Sequence, residues 1–447
     1  MISFVLASAS VVWYIILWSI GLIGCLAARK RYRLRPRSPL ASAAANTVPG
    51  VTILRPLKGL DHNLYENLES TFMQEYPNFE VFFCVEDERD QALTIVRDLM
   101  AKYPSVNARI AIRDGEPVGV NPKINNLITA YRQASHDILW VLDSNVMADR
   151  GTLARAVDIL EPPSTATPLR RRIGVVHHVP FAWVTKPSLG SCIEEAFLNT
   201  NHAKMYIAIN TVAVDSCVVG KSCLYRKSDM ERVNGSLRPI ANAEQGGFQP
   251  GERGLKMFGR FLAEDNMIAG SLWHELGLRH DISCDVAKNA VGDMSPIDYI
   301  TRRIRWIRVR KRMVLAATLA EPFTESMFVG VLTSLGLRYL LGLSPWFFLP
   351  VHFLAWVLVD MDVYTSMAGH PVPADKRWMF VVSWALRELL ALPVWTMAML
   401  GSEVEWRGKR YRVMKNGEVE RVASMASGLL GWFRKRKDFY EPLDISD

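Results

Sequence analysis

Three aspartates and one arginine-tryptophan element carry the chemistry this chain offers. Asp143 closes the run Ile138-Leu139-Trp140-Val141-Leu142 and is followed by Ser144 and Asn145. An apolar stretch of large residues ended by an acid reads as a buried strand that delivers a carboxylate to its C-terminal end. Open α/β sheets bind ligands at that end. Asp90 follows a second strand-like run, Phe79–Val85, and Asp265 follows Glu264 just ahead of the apolar stretch Met267–Leu272. Farther along lies Arg302-Arg303-Ile304-Arg305-Trp306. Carboxylates suit a hard divalent cation, Mg²⁺ or Mn²⁺, and one of them can serve as a base. Arginine forks match diphosphate oxygens in two-point contacts. Together these groups are what transfer of a sugar from a nucleotide diphosphate requires.

In such a reaction Asp143 supplies the metal-binding carboxylate, and Asp90 meets the nucleoside or orients Asp143. Asp265, at a helix N-terminus, stays ionised and takes the acceptor proton. Arg302 and Arg305 receive phosphate charge, and Trp306 walls the acceptor. Lys123, in the turn Asn121-Pro122-Lys123-Ile124-Asn125-Asn126, reaches a phosphate as a point charge. His202, among Asn199, Thr200 and Asn201, is a further binding candidate. Each residue has a plainer reading beside this one. Asp90 and Asp143 suit turn caps, Asp265 a helix cap and His202 a structural hydrogen bond. The seven cations between Arg302 and Arg312 equally suit a basic helix lying on a membrane surface.

The elements that must position these groups follow from periodicity. Val51–Arg55, Phe79–Val85, Ala108–Ile112 and Ile138–Leu142 read as strands. Between and after them, Asn63–Gln74, Ala92–Lys102, Ile124–Gln133 and Thr152–Leu160 read as helices. The alternation predicts an α/β domain, a mostly parallel sheet with helices on both faces. Two stretches read as loops: Glu161–Arg172, with three prolines and an arginine triplet, and Ser236–Lys256, with Gly-Gly and Pro-Gly.

At 447 residues the chain has room for more than one domain. Mean hydropathy is +0.07, and its source is local. No charged residue occurs from Ile2 to Ala28, after which Arg29, Lys30, Arg31, Arg33, Arg35 and Arg37 follow. The run exceeds the roughly 20 residues a spanning helix needs. Its basic flank comes after the apolar core, opposite to a cleaved signal. The expectation is an uncleaved anchor with its N-terminus in the lumen or exterior and the body of the protein in the cytosol. The six cysteines lack metal-site spacing, so neither a zinc site nor a disulfide framework is expected. The net charge of +8 suits a surface beside anionic lipid heads. No nucleic-acid module is recognisable, so nucleic acid is not an expected partner.

Beyond about Leu319 the composition changes. Ser326–Leu343, Trp346–Val359 and Trp378–Leu400 are apolar, and the last is long enough to span. The first two suit two spans, a hairpin or a re-entrant pair. Arg338, Asp360, Arg387 and Glu388 lie within or beside these runs. They read as salt-bridged or snorkelling residues, or as a polar wall beside an acceptor groove. The expected division is an anchor at 1–28, a basic linker at 29–49, a catalytic domain at 50–319, membrane helices at 320–400 and a cytosolic tail at 401–447.

The combination resembles the ceramide glucosyltransferases of glycosyltransferase family 21. Leu54-Arg55-Pro56-Leu57-Lys58-Gly59 looks like that family's opening strand, and Asn121 to Leu127 like its central turn. Asp90, Asp143 and Asp265 fall at its three aspartate motifs, and Arg302, Arg305 and Trp306 match its (Gln/Arg)-x-x-Arg-Trp motif. Glu405-Trp406-Arg407-Gly408-Lys409-Arg410-Tyr411-Arg412 resembles its basic C-terminal motif, so the likeness runs from about Ile2 through Val413. The resemblance implies a GT-A, Rossmann-like mixed sheet, UDP-glucose as donor, a divalent cation, ceramide as acceptor and a Golgi or ER membrane (the inner membrane in a bacterium). It also implies that Asp143 is nearest the metal, that Asp90 serves the nucleotide and that Asp265 is the base. Two features depart from the family pattern: the two loop insertions, and Asn145, where a glycine often follows the Asp-Ser pair. The competing expectations are a processive polysaccharide synthase of the cellulose or chitin type and a non-catalytic membrane scaffold.

Overall fold

The structure is a computed structural model, and it describes residues 2–162, 171–239, 253–406, 409–414 and 416–422. The two expected insertion loops and the end of the tail fall largely outside these residues.

Helix α1 (Ile2–Tyr32) opens the chain, followed by β1 (Val51–Pro56), α2 (Leu64–Phe72), β2 (Phe79–Val85), α3 (Ala92–Lys102) and β3 (Asn107–Ile112). Next come α4 (Pro122–Gln133), β4 (Ile138–Leu142), β5 (Val146–Met147) and α5 (Thr152–Leu160). After β6 (Ile173–Val184), α6 (Leu189–Phe197) runs through a π-helical turn, Leu198–His202, into α7 (Ala203–Val212). Then follow β7 (Ser222–Arg226), α8 (Lys227–Met230), α9 (Glu264–His274) and β8 (Arg279–Val291). Helices α10 (Pro296–Met313), α11 (Leu315–Ala320), α12 (Ser326–Leu341), α13 (Pro345–Ala368) and α14 (Arg377–Met399) precede three short strands, β9 (Glu403–Trp406), β10 (Lys409–Val413) and β11 (Val419–Arg421).

One eight-stranded sheet runs in the order β3-β2-β1-β4-β7-β6-β8-β5. Strands β3, β2, β1 and β4 are parallel, with Val51 level with both Phe79 and Ile138. Strand β7 runs antiparallel to β4 and to β6, while β6 and β8 pair in parallel. The sheet is therefore mixed, and the simple alternation seen in the first half does not continue past β4. Every residue of β1 and β4 is buried. Strands buried along their whole length are what a sheet covered on both faces demands. Trp140 is wholly buried, and its indole nitrogen donates to Ser222 Oγ at 2.8 Å, tying β4 to β7.

Helix α1 extends past the expected anchor boundary because its basic end has partners. Arg31 pairs with Asp281 at 2.8 Å, Arg35 with Asp149 at 3.0 Å, and Arg29 and Arg33 with Asp362 at 2.6 and 2.9 Å. Tyr32 is buried in the core shared with α7 and α13. At Gly24 the helix passes so close to the Lys204 carbonyl of α7 that a Cβ would overlap it. Among the described residues three helices are long and apolar enough to cross a membrane: α1, α13 and α14. Helix α12, at 16 residues, is shorter.

Candidate active site

Asp143 stands just past β4, at the C-terminal end of the parallel strands, as expected from the sequence. The loop that carries it is fixed from below. Arg55 of β1 is wholly buried and donates to Val146 O at 3.0 Å and Ser144 O at 3.3 Å. Burial pushes the Arg55 pKa down to about 9, with Asp143 and Asp61 opposing. Asp143 N–H donates to Lys221 O at 3.1 Å, which locks the loop to the approach of β7.

Lys123 is the hub of the site. Asn121 caps α4 by accepting from Lys123 N at 2.8 Å and Ile124 N at 3.4 Å, and Pro122 fits the first turn. This cap aims the lysine across the sheet end. Its Nζ lies 2.7 Å from Asp143 Oδ1, 2.9 Å from Glu264 Oε1 and 3.1 Å from Gly220 O. The Asn121 amide also donates to Glu264 Oε2 at 2.8 Å, so one residue sets both the cation and its acid. Burial works against the charge of Lys123, but Asp143, Glu264 and Asp265 outweigh it and hold its pKa well above the ordinary value.

Asp265 occupies the first turn of α9, where the helix dipole favours an acid. Its Oδ2 accepts from Gly220 N. A Cβ at position 220 would collide with the Asp265 side chain, so the glycine is required for the approach. Burial and the neighbouring Glu264 charge raise the Asp265 pKa to about 6, with Lys123 opposing. Asp143 goes the other way. Burial alone would raise it, but Lys123 and Lys221 bring it down to about 2. Two carboxylates beside one lysine thus have separated proton affinities, a pattern that marks acid-base sites. A mostly apolar pocket, lined by Ile124, Val141, Val175, Val218 and Ile268, reaches Lys123, Gly220, Glu264 and Asp265.

Lys221, which the sequence reading did not single out, bridges Asp143 Oδ2 at 3.0 Å and Asn145 Oδ1 at 3.2 Å. No motif flags it, because a lone lysine in Val219-Gly220-Lys221-Ser222 has no distinctive spacing. The two oxygens converge on a cationic point, and hard oxygens of this kind suit Mg²⁺ or Mn²⁺. Among the described residues no group of three or more His, Cys, Asp or Glu side chains could hold a metal by itself.

The remaining candidates lie elsewhere. The Asp90 carboxylate clasps two neighbouring loops by accepting from Gly59 N at 3.0 Å and Ala92 N at 2.9 Å. Arg302 is held by Glu194 of α6 at 3.0 Å, not by the acids at the sheet end. Arg303 lies over the Phe197 ring and pairs with Glu321 at 3.1 Å. Arg305 lies on α10, and Trp306 on the same helix is partly exposed. His202 is sandwiched between Tyr206, with which it stacks, and Phe197. Burial, with Arg303 and Arg310 nearby, pushes its pKa down to about 3, so it is neutral. The candidates therefore form two groups: acids and lysines at the sheet end, and an arginine-aromatic cluster where α10 meets α6 and α14. A cavity of about 350 Å³ lies in the second group, against Phe197, Tyr299, Arg303 and Arg387.

A mixed sheet with acids at the C-terminal edge of its parallel strands, joined to helices long and apolar enough to cross a membrane, is the frame of an α/β protein with a ligand site at its strand ends. Residues 11–244 and 247–419 match the family described as Glycosyl transferase family 21, and the chain belongs to that family. It is 36% identical to a ceramide glucosyltransferase of Komagataella phaffii, over 91% of this chain and 90% of that one. It is 32% identical to a ceramide glucosyltransferase of Candida albicans, over 83% and 88% respectively. Ceramide glucosyltransferase 1 of Caenorhabditis elegans is 29% identical, over 83% and 73%. Among solved structures, the mannosyltransferase PcManGT of Pyrobaculum calidifontis, in complex with GDP-Man and Mn²⁺, aligns at a TM-score of 0.43 and 18% identity, over 88% and 98%.

Proposed function

We propose that this enzyme transfers glucose from UDP-glucose to the primary hydroxyl of ceramide with inversion, giving β-glucosylceramide and UDP. The names of the fungal and nematode relatives support glucose as the group transferred and ceramide as the acceptor. The observation that carries the chemistry is the Lys123 hub, which gathers Asp143, Glu264 and Asp265. Asp265 is the base. A carboxylate with a pKa near 6 is ionised at neutral pH and is a better proton acceptor than an ordinary one. Lys123 and Lys221 meet the donor's phosphates, with Asp143 holding them in place. Asp143 and Asn145 are the residues that would hold a divalent cation, which would supply positive charge to the diphosphate. Asp90 serves the nucleoside side through the loops it joins. Arg302, Arg305, Trp306 and His202 line the acceptor's approach from the membrane.

In this reading residues 50–319 are the catalytic domain, α1 is an anchor, and the site faces the cytosol of a Golgi or ER membrane. The arginines after Ala28 support that orientation. The test is direct. Detergent-solubilised protein is incubated with ceramide and labelled UDP-glucose or UDP-galactose, and the lipid product is identified. A single glucosylated ceramide is expected. A polymeric product, or no lipid product, overturns the proposal.

A further inference from the structure

Helix α14 has the length and apolarity of a membrane span, yet both of its ends stay with the catalytic domain. Helices α1 and α13 run side by side in the same direction. Tyr14 meets His352, Trp18 meets Trp356, and Arg29 pairs with Asp362. The end of α13 therefore emerges where α1 meets the domain, and Met367 O accepts from Arg35 there. The short connection Gly369–Lys376 starts α14 on that side. At its other end, Arg308 donates to Met397 O at 3.2 Å, and Lys311 donates to Met399 O at 2.9 Å and Gly401 O at 2.8 Å. The chain then forms β9–β11, whose valines and Tyr411 pack on Ala263 beside the site. Arg260 pairs with Glu418 at 3.2 Å.

Between its ends α14 packs against α10. Ile300, Ile304 and Ile307 of α10 meet Leu390, Val394 and Ala398 of α14, so the two helices lie alongside each other. Helix α10 carries seven cations from Arg302 to Arg312. A transmembrane α14 would draw that basic helix to membrane depth, where each charge is costly. The buried face of α14 carries Arg387 and Glu388, and the exposed face is apolar: Trp378, Met379, Val382, Leu389, Leu392 and Met397. One-sided apolar exposure beside a basic partner is the form of a helix lying in the lipid interface.

We infer that α14 lies in the plane of the leaflet on the catalytic-domain side, immersing the Trp378–Met397 stripe among lipid headgroups and upper acyl chains, and that β9–β11 stay on the same side as the site. The inference rests on α1 and α13 crossing the bilayer, and it holds for either orientation and any sugar or acceptor.

Glycosylation acceptors on flexible spacers are inserted singly at Leu343, at Ala374 and after Asp447, and the protein is translated into microsomes. The acceptors at 374 and 447 should behave alike, and the one at 343 oppositely. If 374 and 447 differ, α14 spans the bilayer and the inference fails. If they agree but report the lumen, the inference stands and the cytosolic orientation falls. A second measurement places nitroxides at Val382, Leu389 and Met397 in reconstituted vesicles of phosphatidylcholine and phosphatidylserine. Equal depths are expected. A steady gradient of about 1.5 Å per residue would overturn the inference.

Discussion

Buried charge occurs in two regions, and they differ in kind. At the sheet end, three carboxylates (Asp143, Glu264 and Asp265) share two ammonium groups, those of Lys123 and Lys221. Burial and the neighbouring Glu264 charge raise the proton affinity of Asp265 there, against the pull of Lys123. Between the membrane-side helices, Lys204 and Asp360 form a closed pair. Their contact is 2.6 Å, both side chains are almost fully buried, and the other Asp360 oxygen accepts from Trp384 at 2.8 Å. Lys204 also lies over the Trp356 ring. The closed pair is satisfied by its own partners, whereas the open set keeps one carboxylate that takes up a proton at about pH 6.

The sharpest way to break this contrast is Asp265→Asn. It should lower kcat by about 10²–10⁴-fold while the melting temperature is kept. In the parent, kcat/KM should fall as pH drops through about 6, because the raised carboxyl takes up its proton there. The variant should lose that limb, and a folded variant with wild-type turnover would remove Asp265 as the base.

Asp360→Ala should act on the opposite quantity. Leaving Lys204 buried without a partner should cost about 3–5 kcal/mol of stability, read by thermal unfolding in detergent. Turnover per folded molecule should barely change. The double variant Lys204→Met, Asp360→Leu should recover much of the loss, since replacing a buried pair with apolar groups is often neutral.

Gly220→Ala should push Asp265 off its position and reduce turnover by about 10²-fold, the usual scale for a small misplacement of a reacting group. The smallest effect is expected of Lys221→Met. Removing the ammonium between Asp143 and Asn145 should tighten Mn²⁺ binding about tenfold, equivalent to ~1.4 kcal/mol, as measured by Mn²⁺ paramagnetic resonance. Unchanged or weaker binding would separate that oxygen pair from the cation.

Much of the first half was legible in the sequence because its elements obey local rules. Phe79–Val85, Ala92–Lys102, Ile138–Leu142 and Thr152–Leu160 have the same bounds in the structure as in the sequence reading. Asp143 at a strand end and Asp265 in a helix's first turn follow from the same patterns. What was not legible is long-range. The antiparallel insertion of β7 between β4 and β6 leaves no periodic mark. Nor does Lys221, whose role comes only from that strand's register. The Trp378–Leu400 run reads as long enough to span, and α14 has that length and apolarity, but the contacts at its two ends left no mark in the sequence. The Arg302–Trp306 motif was visible, but its hold on α6 through Glu194 was not.

The tight crossing at Gly24 has a practical corollary. Because the opening helix touches α7 backbone to backbone, contributes Tyr32 to the interior and, with the residues after it, hands Arg31 and Arg35 to acids of the domain, it is a wall of the enzyme as well as an anchor. Clipping it off to obtain a water-soluble fragment would expose apolar surface on α7 and α13, and the product should aggregate. Solubilisation with the helix in place is the route to an intact catalyst.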